Sequence, residues 1–215
     1  TKWKKNNLGK GWVLGETLIT GIGQGYIQTT PLQLCMMTAQ IANGGFAVKP
    51  KIIVDSNPIS YEDAKQSMES GLLFDTKSNS LLDKKLFKDK KNIKIVQEAM
   101  FSSTNERFGT SYKSRIDDPK YQFAGKTGTA QVKRISKRER ELDLELEQIP
   151  YKDRDHALYV AYGPYVNPRY ALSIIVEHGG SGSKAAAPIA KKLFKLIIDR
   201  HDLRNKQSNF ERITV

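Results

Sequence analysis

The sequence predicts a mixed α/β fold of the α+β type, built from helices and hairpin strands. Three strand candidates follow one another, around residues 121–132, 156–163 and 170–178. The last two are separated by a turn at 163–168 that contains glycine, asparagine and two prolines, which favours an antiparallel hairpin. Helical patterns precede and follow the strands, and segregated runs of helices and strands are typical of α+β domains.

Three helices are predicted from caps and apolar spacing. The first begins with Thr30 as N-cap, Pro31 at the first helical position and Gln33 able to close a capping box, and it stops before Gly44-Gly45. Its expected apolar face is Leu32, Cys35, Met36, Ala39 and Ala42. The second spans 93–102, with an apolar face of Ile93, Val96, Met100 and Phe101. The third spans 185–202, with an inward face of Ile189, Leu193, Leu196 and Ile197.

The remaining segments are less regular. Glycines at alternate positions 21, 23 and 25 indicate an extended segment close to other backbone, and a strand interrupted by proline is expected at 46–54. Residues 55–92 are expected to form loops and short turns. A charged helical insertion is expected at about 133–150, because five cations and five anions cluster there above a thin apolar stripe. Residues 1–203 then form one unit, followed by a polar tail at 204–215.

Composition narrows the function classes. The chain has 215 residues and a formal net charge of +12, from 35 Lys and Arg against 23 Asp and Glu. This charge is compatible with nucleic acid or with an anionic surface, but no DNA or RNA motif is present and the aromatic residues do not interleave with a basic stripe. The single cysteine, Cys35, and three histidines without ligand spacing favour neither a metal site nor another cofactor.

The most informative stretch is AGKTGTAQV at residues 124–132. Alternation along a strand places Lys126 and Gly128 on one side, and Thr127 and Thr129 on the other. A glycine inside a strand usually indicates close approach by a ligand or by another backbone. A lysine beside two hydroxyls on an exposed strand edge is suited to holding a carboxylate, although a strand with one solvated lysine would give the same pattern.

Five ordered motifs extend this observation over nearly the whole chain. They are GETLITGIGQGYIQTTPLQL at 15–34, NGG at 43–45, AGKTGTAQV at 124–132, DHALYVAYGP at 155–164 and VEHGGSGSKAAAPIA at 176–190. The series resembles the C-terminal end of penicillin-binding protein transpeptidases, of which K-T-G is one signature. The GIGQGYxxTTPLQ form resembles the elongation class, penicillin-binding protein 2, which acts in peptidoglycan synthesis and cell shape.

This resemblance implies a partial penicillin-binding transpeptidase fold, in which an antiparallel sheet is flanked by helices. It also implies acyl transfer through a serine ester. The substrates would be D-Ala-D-Ala stem peptides of peptidoglycan, and β-lactams would mimic them. By resemblance, Lys126 supplies positive charge and helps proton transfer, and the hydroxyls of Thr127 and Thr129 hold the donor carboxylate. The backbone N–H of Thr129 would donate to the oxyanion, and Gly128 would let the substrate lie close.

The sequence departs from the family at the other two motifs. The S-x-x-K match, Ser181-Gly182-Ser183-Lys184, follows K-T-G, whereas the family's nucleophile precedes it. The S-x-N match, Ser103-Thr104-Asn105, directly follows a predicted helix. We interpret both as loop or cap residues, with Ser181 as nucleophile the minor alternative. The chain is therefore expected to begin downstream of both motifs, so an upstream polypeptide half would carry them.

Two functions follow. The first is the C-terminal part of a D,D-transpeptidase, active with its upstream half at the periplasmic face of the bacterial inner membrane and attached through an N-terminal part. The second is a folded but inert remnant or binding module. Whether the chain alone is an enzyme stays open, and neither nucleic acid nor a cofactor is expected.

Overall fold

The structure is a computed structural model that describes residues 2–50, 86, 89–133 and 144–213, with 205–213 described by their backbone alone. It divides into two compact units, Thr1–Thr30 and Pro31–Val215. In the described part of the chain, no helix combines the length and the apolar character that crossing a membrane would need. Most of the loops predicted at 55–92 and most of the insertion predicted at 133–150 lie outside the described residues, and residues 90–92 belong to a helix.

The first unit consists of helices α1 (Lys2–Leu8) and α2 (Leu14–Gly21). The extended segment predicted at its glycines is wrong, because α2 runs up to Gly21 and turns follow it. The start of α2 is fixed by Glu16, whose carboxylate accepts the N–H of Val13 at 2.9 Å. Glu16 also pairs with the ammonium of Lys4, and this hydrogen bond lowers the pKa of its carboxyl.

The second unit is built on three antiparallel strands, β1 (Ala124–Ala130), β2 (His156–Gly163) and β3 (Tyr170–Val176), in the order β1-β2-β3. All three predicted strands and the hairpin between the last two are confirmed. In this register Thr127 lies opposite Tyr159. Within the described part of the chain, β1 pairs with a strand on one side only, so its other edge has no strand partner there.

One face of the sheet packs against α5 (Ala187–Ile213), which a short π-helical turn at Gly182–Ala186 precedes. The contact is tight, because small alanines of the helix face the strands and the ring of Phe194 stacks on Phe123 with centroids 4.9 Å apart. The helix extends to Ile213, beyond the end predicted at 202. The buried residues of the turn and of the helix as far as residue 204 include Ala186 in the turn and Ala187, Ala190, Phe194 and Ile198 in the helix.

The buried side of α5 therefore differs from the predicted inward face. Ile189 and Leu196, expected inside, are exposed, and Leu196 keeps 62% of its surface accessible. The helix carries apolar residues on several sides, so periodicity alone does not choose the buried side. Two contacts determine which side of the helix is buried. The ring of Phe194 stacks on that of Phe123, and the alanines let the helix approach the sheet closely.

The opposite face of the sheet packs against α3 (Pro31–Ala42) and α4 (Lys90–Asn105). Both predicted helices are confirmed, although α4 is longer because Asp89 caps it by accepting the N–H of Lys91 at 2.8 Å. The predicted apolar faces were wrong at Leu32 and Val96, which are exposed.

The loop after α3 differs from the predicted strand at 46–54. Phe46 forms only an isolated bridge, residues 47–50 are not in a strand, and the rest lies outside the described residues. The turn that precedes it is held by Asn43, whose side-chain oxygen accepts the N–H groups of Gly45 at 3.1 Å and Phe46 at 2.9 Å. The NGG motif therefore forms the turn that ends α3, and the Asn43 side chain holds this turn.

Candidate active site

Strand β1 presents the K-T-G residues at the exposed edge of the sheet. Lys126 is exposed, and its ammonium donates to the carbonyl of Thr127 at 3.0 Å and lies 3.4 Å from the hydroxyl of the same residue. Thr127 is half-buried, whereas Thr129 is exposed. The strand therefore brings one ammonium and one hydroxyl together at a position open to solvent.

The Thr127 hydroxyl belongs to a row of three hydroxyls. Its oxygen lies 3.3 Å from that of Thr110, which in turn lies 3.3 Å from that of Ser103 at the end of α4. Thr110 reaches this position because the chain after α4 folds back on the helix, where Gly109 passes so close that a Cβ would lie 2.3 Å from the carbonyl oxygen of Ser103. Thr110 can thereby orient the hydroxyl of Thr127.

The fold-back is fixed from beneath by Tyr159. Its buried hydroxyl lies 2.9 Å from the hydroxyl of Thr104 and donates to that of Ser111 at 3.1 Å. To reach them the ring crosses Gly125, where a Cβ would lie 2.3 Å from the tyrosine oxygen. Burial raises the pKa of Tyr159, so its hydroxyl stays protonated and available as a donor.

Gly128 lies against the turn that opens α5. A Cβ on Gly182 would meet the carbonyl oxygen of Leu158 at 2.4 Å and that of Gly128 at 2.8 Å. A Cβ on Gly128 itself would meet only the Cβ of Leu158, at 3.3 Å. Close packing therefore requires glycine at 182 more strongly than at 128.

Beyond β1, the ends of the sheet are held by hydrogen bonds between loops. The N–H of Val132 donates to the carboxylate of Asp155 at 3.2 Å, and the N–H of Gly180 donates to the carbonyl of Asp155 at 2.8 Å. The N–H of His178 donates to Nδ1 of His156 at 2.9 Å, and His178 itself adopts a positive φ of 56°. These bonds position the loop that leads to Gly182.

The S-x-x-K match does not form a serine–lysine pair. Ser181 occupies the N-cap position of the turn at 182–186, and its hydroxyl lies 2.9 Å from that of Ser183. Lys184 is exposed and forms no side-chain hydrogen bond to a residue that the structure describes. Ser181 holds the N-cap position through its backbone carbonyl, which accepts the N–H of Lys184 at 3.1 Å, and its side chain forms no capping hydrogen bond.

The S-x-N match lies in the last turn of α4 rather than in a loop after it, because the helix continues to Asn105. The Asn105 amide donates to the carbonyls of Phe101 and Phe123, both at 3.0 Å. This side chain joins α4 to the start of β1. Ser103, in contrast, takes part in the hydroxyl row, which the sequence did not indicate.

Comparison with known proteins assigns this arrangement to a class. Residues 3–195 match the penicillin binding protein transpeptidase domain. The chain therefore belongs to the penicillin-binding protein transpeptidase family, and the partial transpeptidase fold expected from the sequence is confirmed.

Within this family the chain is of the penicillin-binding protein 2 type. It is 31% identical to the peptidoglycan D,D-transpeptidase MrdA of Salmonella typhimurium over 198 residues, which are 92% of this chain and 29% of that protein. The MrdA of Haemophilus influenzae is 30% identical over 204 residues, 93% of this chain and 28% of that protein. The chain thus spans less than a third of the length of these curated relatives.

Solved structures agree. PBP2 of Pseudomonas aeruginosa, determined in complex with WCK 5153, superposes with a TM-score of 0.66 at 33% identity, over 91% of this chain and 36% of that chain. PBP2 of Helicobacter pylori, determined in complex with MreC, gives a TM-score of 0.62 at 30% identity, over 91% and 30% of the two chains.

Proposed function

We propose that this chain is the C-terminal part of a serine D,D-transpeptidase that cross-links peptidoglycan stem peptides and binds penicillin, and that β1 is its donor-binding strand. The observation that carries the proposal is the contact of the Lys126 ammonium with Thr127 on an exposed strand edge. A carboxylate at this edge would accept hydrogen bonds from an ammonium and a hydroxyl together, and such charge-assisted bonds are stronger than neutral ones.

The remaining roles follow from the strand. Thr129 lies two residues after Thr127 on the same side, so its hydroxyl could hold the same carboxylate, and its backbone N–H would donate to the oxyanion. Gly128 lies on the opposite side of the strand, with Lys126, and would keep that side bare so that a substrate backbone can lie close. Thr110 would orient the Thr127 hydroxyl from behind.

The reaction needs a nucleophile that these residues do not supply. A serine would attack the penultimate carbonyl of the stem peptide and release D-alanine. The amine of a second stem peptide would then attack the ester and free the serine. We propose that this serine belongs to an S-x-x-K motif in an upstream segment, together with the S-x-N motif and the membrane attachment, at the periplasmic face of the bacterial inner membrane.

The test is a chimera in which residues 3–195 replace the matched stretch of Salmonella typhimurium MrdA. We expect a fluorescent penicillin to label the chimera, and Lys126→Ala to slow labelling about 100-fold, the scale on which removed transition-state contacts act. Lys152→Ala removes an equally exposed lysine outside β1 and should leave the rate unchanged. Circular dichroism confirms that each variant is folded.

The same experiment decides between the two functions. The chain alone, incubated with a penicillin, should show no adduct by intact-mass analysis. A folded chimera that is not labelled would support the inert remnant or binding module. An adduct on the chain alone that maps to Ser181 would contradict the proposal and identify S-G-S-K as the nucleophile motif.

A further inference from the structure

A groove of about 910 Å³ lies between the fold-back segment at 107–121 and the first turns of α5. Gly109 and Thr110 are among its lining residues, so the groove lies next to the hydroxyl row. Its lining combines apolar surface with six cations. These are Arg107, Lys113, Lys184, Lys191, Lys192 and Lys195.

Among the described residues, the cations of this groove form no close ion pair, although the charge of Lys195 acts on the nearby carboxylate of Asp199. None of the six forms a side-chain ion pair or hydrogen bond with any residue that the structure describes. The one acid in the lining, Asp118, already accepts the backbone N–H of Lys120 at 2.9 Å. Lys120, in contrast, pairs with Asp199 and Asp202. The six cations of the groove therefore differ from the neighbouring Lys120, whose charge is balanced by two carboxylates.

The spacing of the lysines matches an extended chain. Lys191 and Lys195 lie one turn apart on α5, and Lys184 precedes them in the π-helical turn. At about 1.5 Å per residue they span roughly 16 Å, the length of about five extended residues. A concave groove with cations on both walls, Lys113 on one and the α5 lysines on the other, admits a chain more readily than a flat surface.

We propose that this groove binds a short acidic peptide in an extended conformation, with its carboxylates on the lysines and its apolar parts on the lining between them. The groove shares Thr110 with the hydroxyl row, but no residue of β1 lines it. It would therefore hold a peptide other than the donor, and it does not depend on the nucleophile, so either proposal can fail alone.

The probe is the pentapeptide Glu-Ala-Glu-Ala-Glu, carrying a neutral dye, titrated with the full chain by fluorescence anisotropy. We expect Lys191→Glu with Lys192→Glu to weaken binding at least about tenfold, since each reversal turns a favourable charge contact into a repulsive one. The matched control is Lys90→Glu with Lys91→Glu, which makes the same change of charge on two adjacent exposed lysines of α4. It should alter binding less than about twofold.

Three results would overturn the proposal. They are equal weakening by both double variants, equal binding of the Gln-Ala-Gln-Ala-Gln peptide, and complete displacement of the probe by inorganic triphosphate at equal concentration. The last would show a site for any polyanion. Lys113→Glu, on the opposite wall, provides an independent variant should the α5 variant fail to fold, and it should also weaken binding.

Discussion

Replacing Gly125 by alanine tests how the candidate site is supported. The new Cβ would lie 2.3 Å from the hydroxyl oxygen and 2.5 Å from Cζ of Tyr159, so the ring must move. Moving it breaks the contacts to Thr104 and Ser111, worth about 1 kcal/mol each. Overpacking adds about 1–3 kcal/mol, so we expect a destabilisation of about 3–5 kcal/mol.

Urea unfolding followed by far-UV circular dichroism measures this change. Circular dichroism is chosen because both tryptophans, Trp3 and Trp12, lie in the first unit, whereas β1 lies in the second. Gly128→Ala is the matched control, because it makes the same substitution in the same strand and meets only the Cβ of Leu158, at 3.3 Å. It should change the free energy of unfolding by less than about 1 kcal/mol.

A double-mutant cycle isolates the cause. In a Tyr159→Leu background the shorter side chain no longer crosses Gly125, so Gly125→Ala should then cost less than about 1 kcal/mol. If Gly125→Ala costs the same in both backgrounds, the tyrosine is not what requires glycine at 125, and the support assigned to Tyr159 is refuted.

Three further outcomes are expected. Thr110→Val in the chimera should slow penicillin labelling about tenfold without changing the melting temperature, whereas Thr110→Ser restores the rate. Gly182→Ala should destabilise the chain more than Gly128→Ala, because its Cβ would strike strand backbone, and similar urea midpoints would contradict this. The hydrogen bond from Lys120 lowers the pKa of Asp202 from its ordinary value of 3.8, so its stabilisation is present above that value and is lost as pH falls through the lowered pKa. Asp202→Asn should remove this acid-dependent part of the urea midpoint.

The strands could be predicted closely from the sequence because their signals are local. β2 occupies His156–Gly163, as predicted, and β3 ends at Val176, two residues before the predicted end. Alternation and the turn between them do not depend on distant residues. The same holds for α3, because the residues that start it at Pro31 and end it before Asn43-Gly44 are its immediate neighbours in sequence.

The helix faces could not be predicted in the same way. Which side of α5 is buried depends on Phe123, which lies more than 60 residues earlier and contacts Phe194. Summed hydrophobicity favoured the large aliphatic residues, whereas packing favoured the alanines that let the helix come close. Tertiary contacts thus decided among several apolar sides, and single-sequence periodicity contains no information about them.

The same distinction between local and tertiary signals applies to the residues of the candidate site. Lys126, Thr127, Gly128 and Thr129 were selected by a motif whose residues are adjacent. Thr110 and Tyr159 were not, because each meets β1 through a contact between segments that are distant in sequence. The only available signal was Gly109 before Thr110, and its meaning depends on the carbonyl of Ser103.

Packing explains two of the three glycines of the site, Gly125 and Gly182, but not Gly128. A strand glycine indicates close approach by a ligand or by backbone. Gly125 is explained by the ring of Tyr159, and Gly182 by the backbone of β1 and β2. A Cβ added at Gly128 would contact only the Cβ of Leu158, at 3.3 Å. Packing within the described residues therefore does not require glycine at 128. Its lack of a side chain is therefore better explained by the substrate proposed for β1, and Gly128→Ala should stay folded while it lowers penicillin labelling of the chimera.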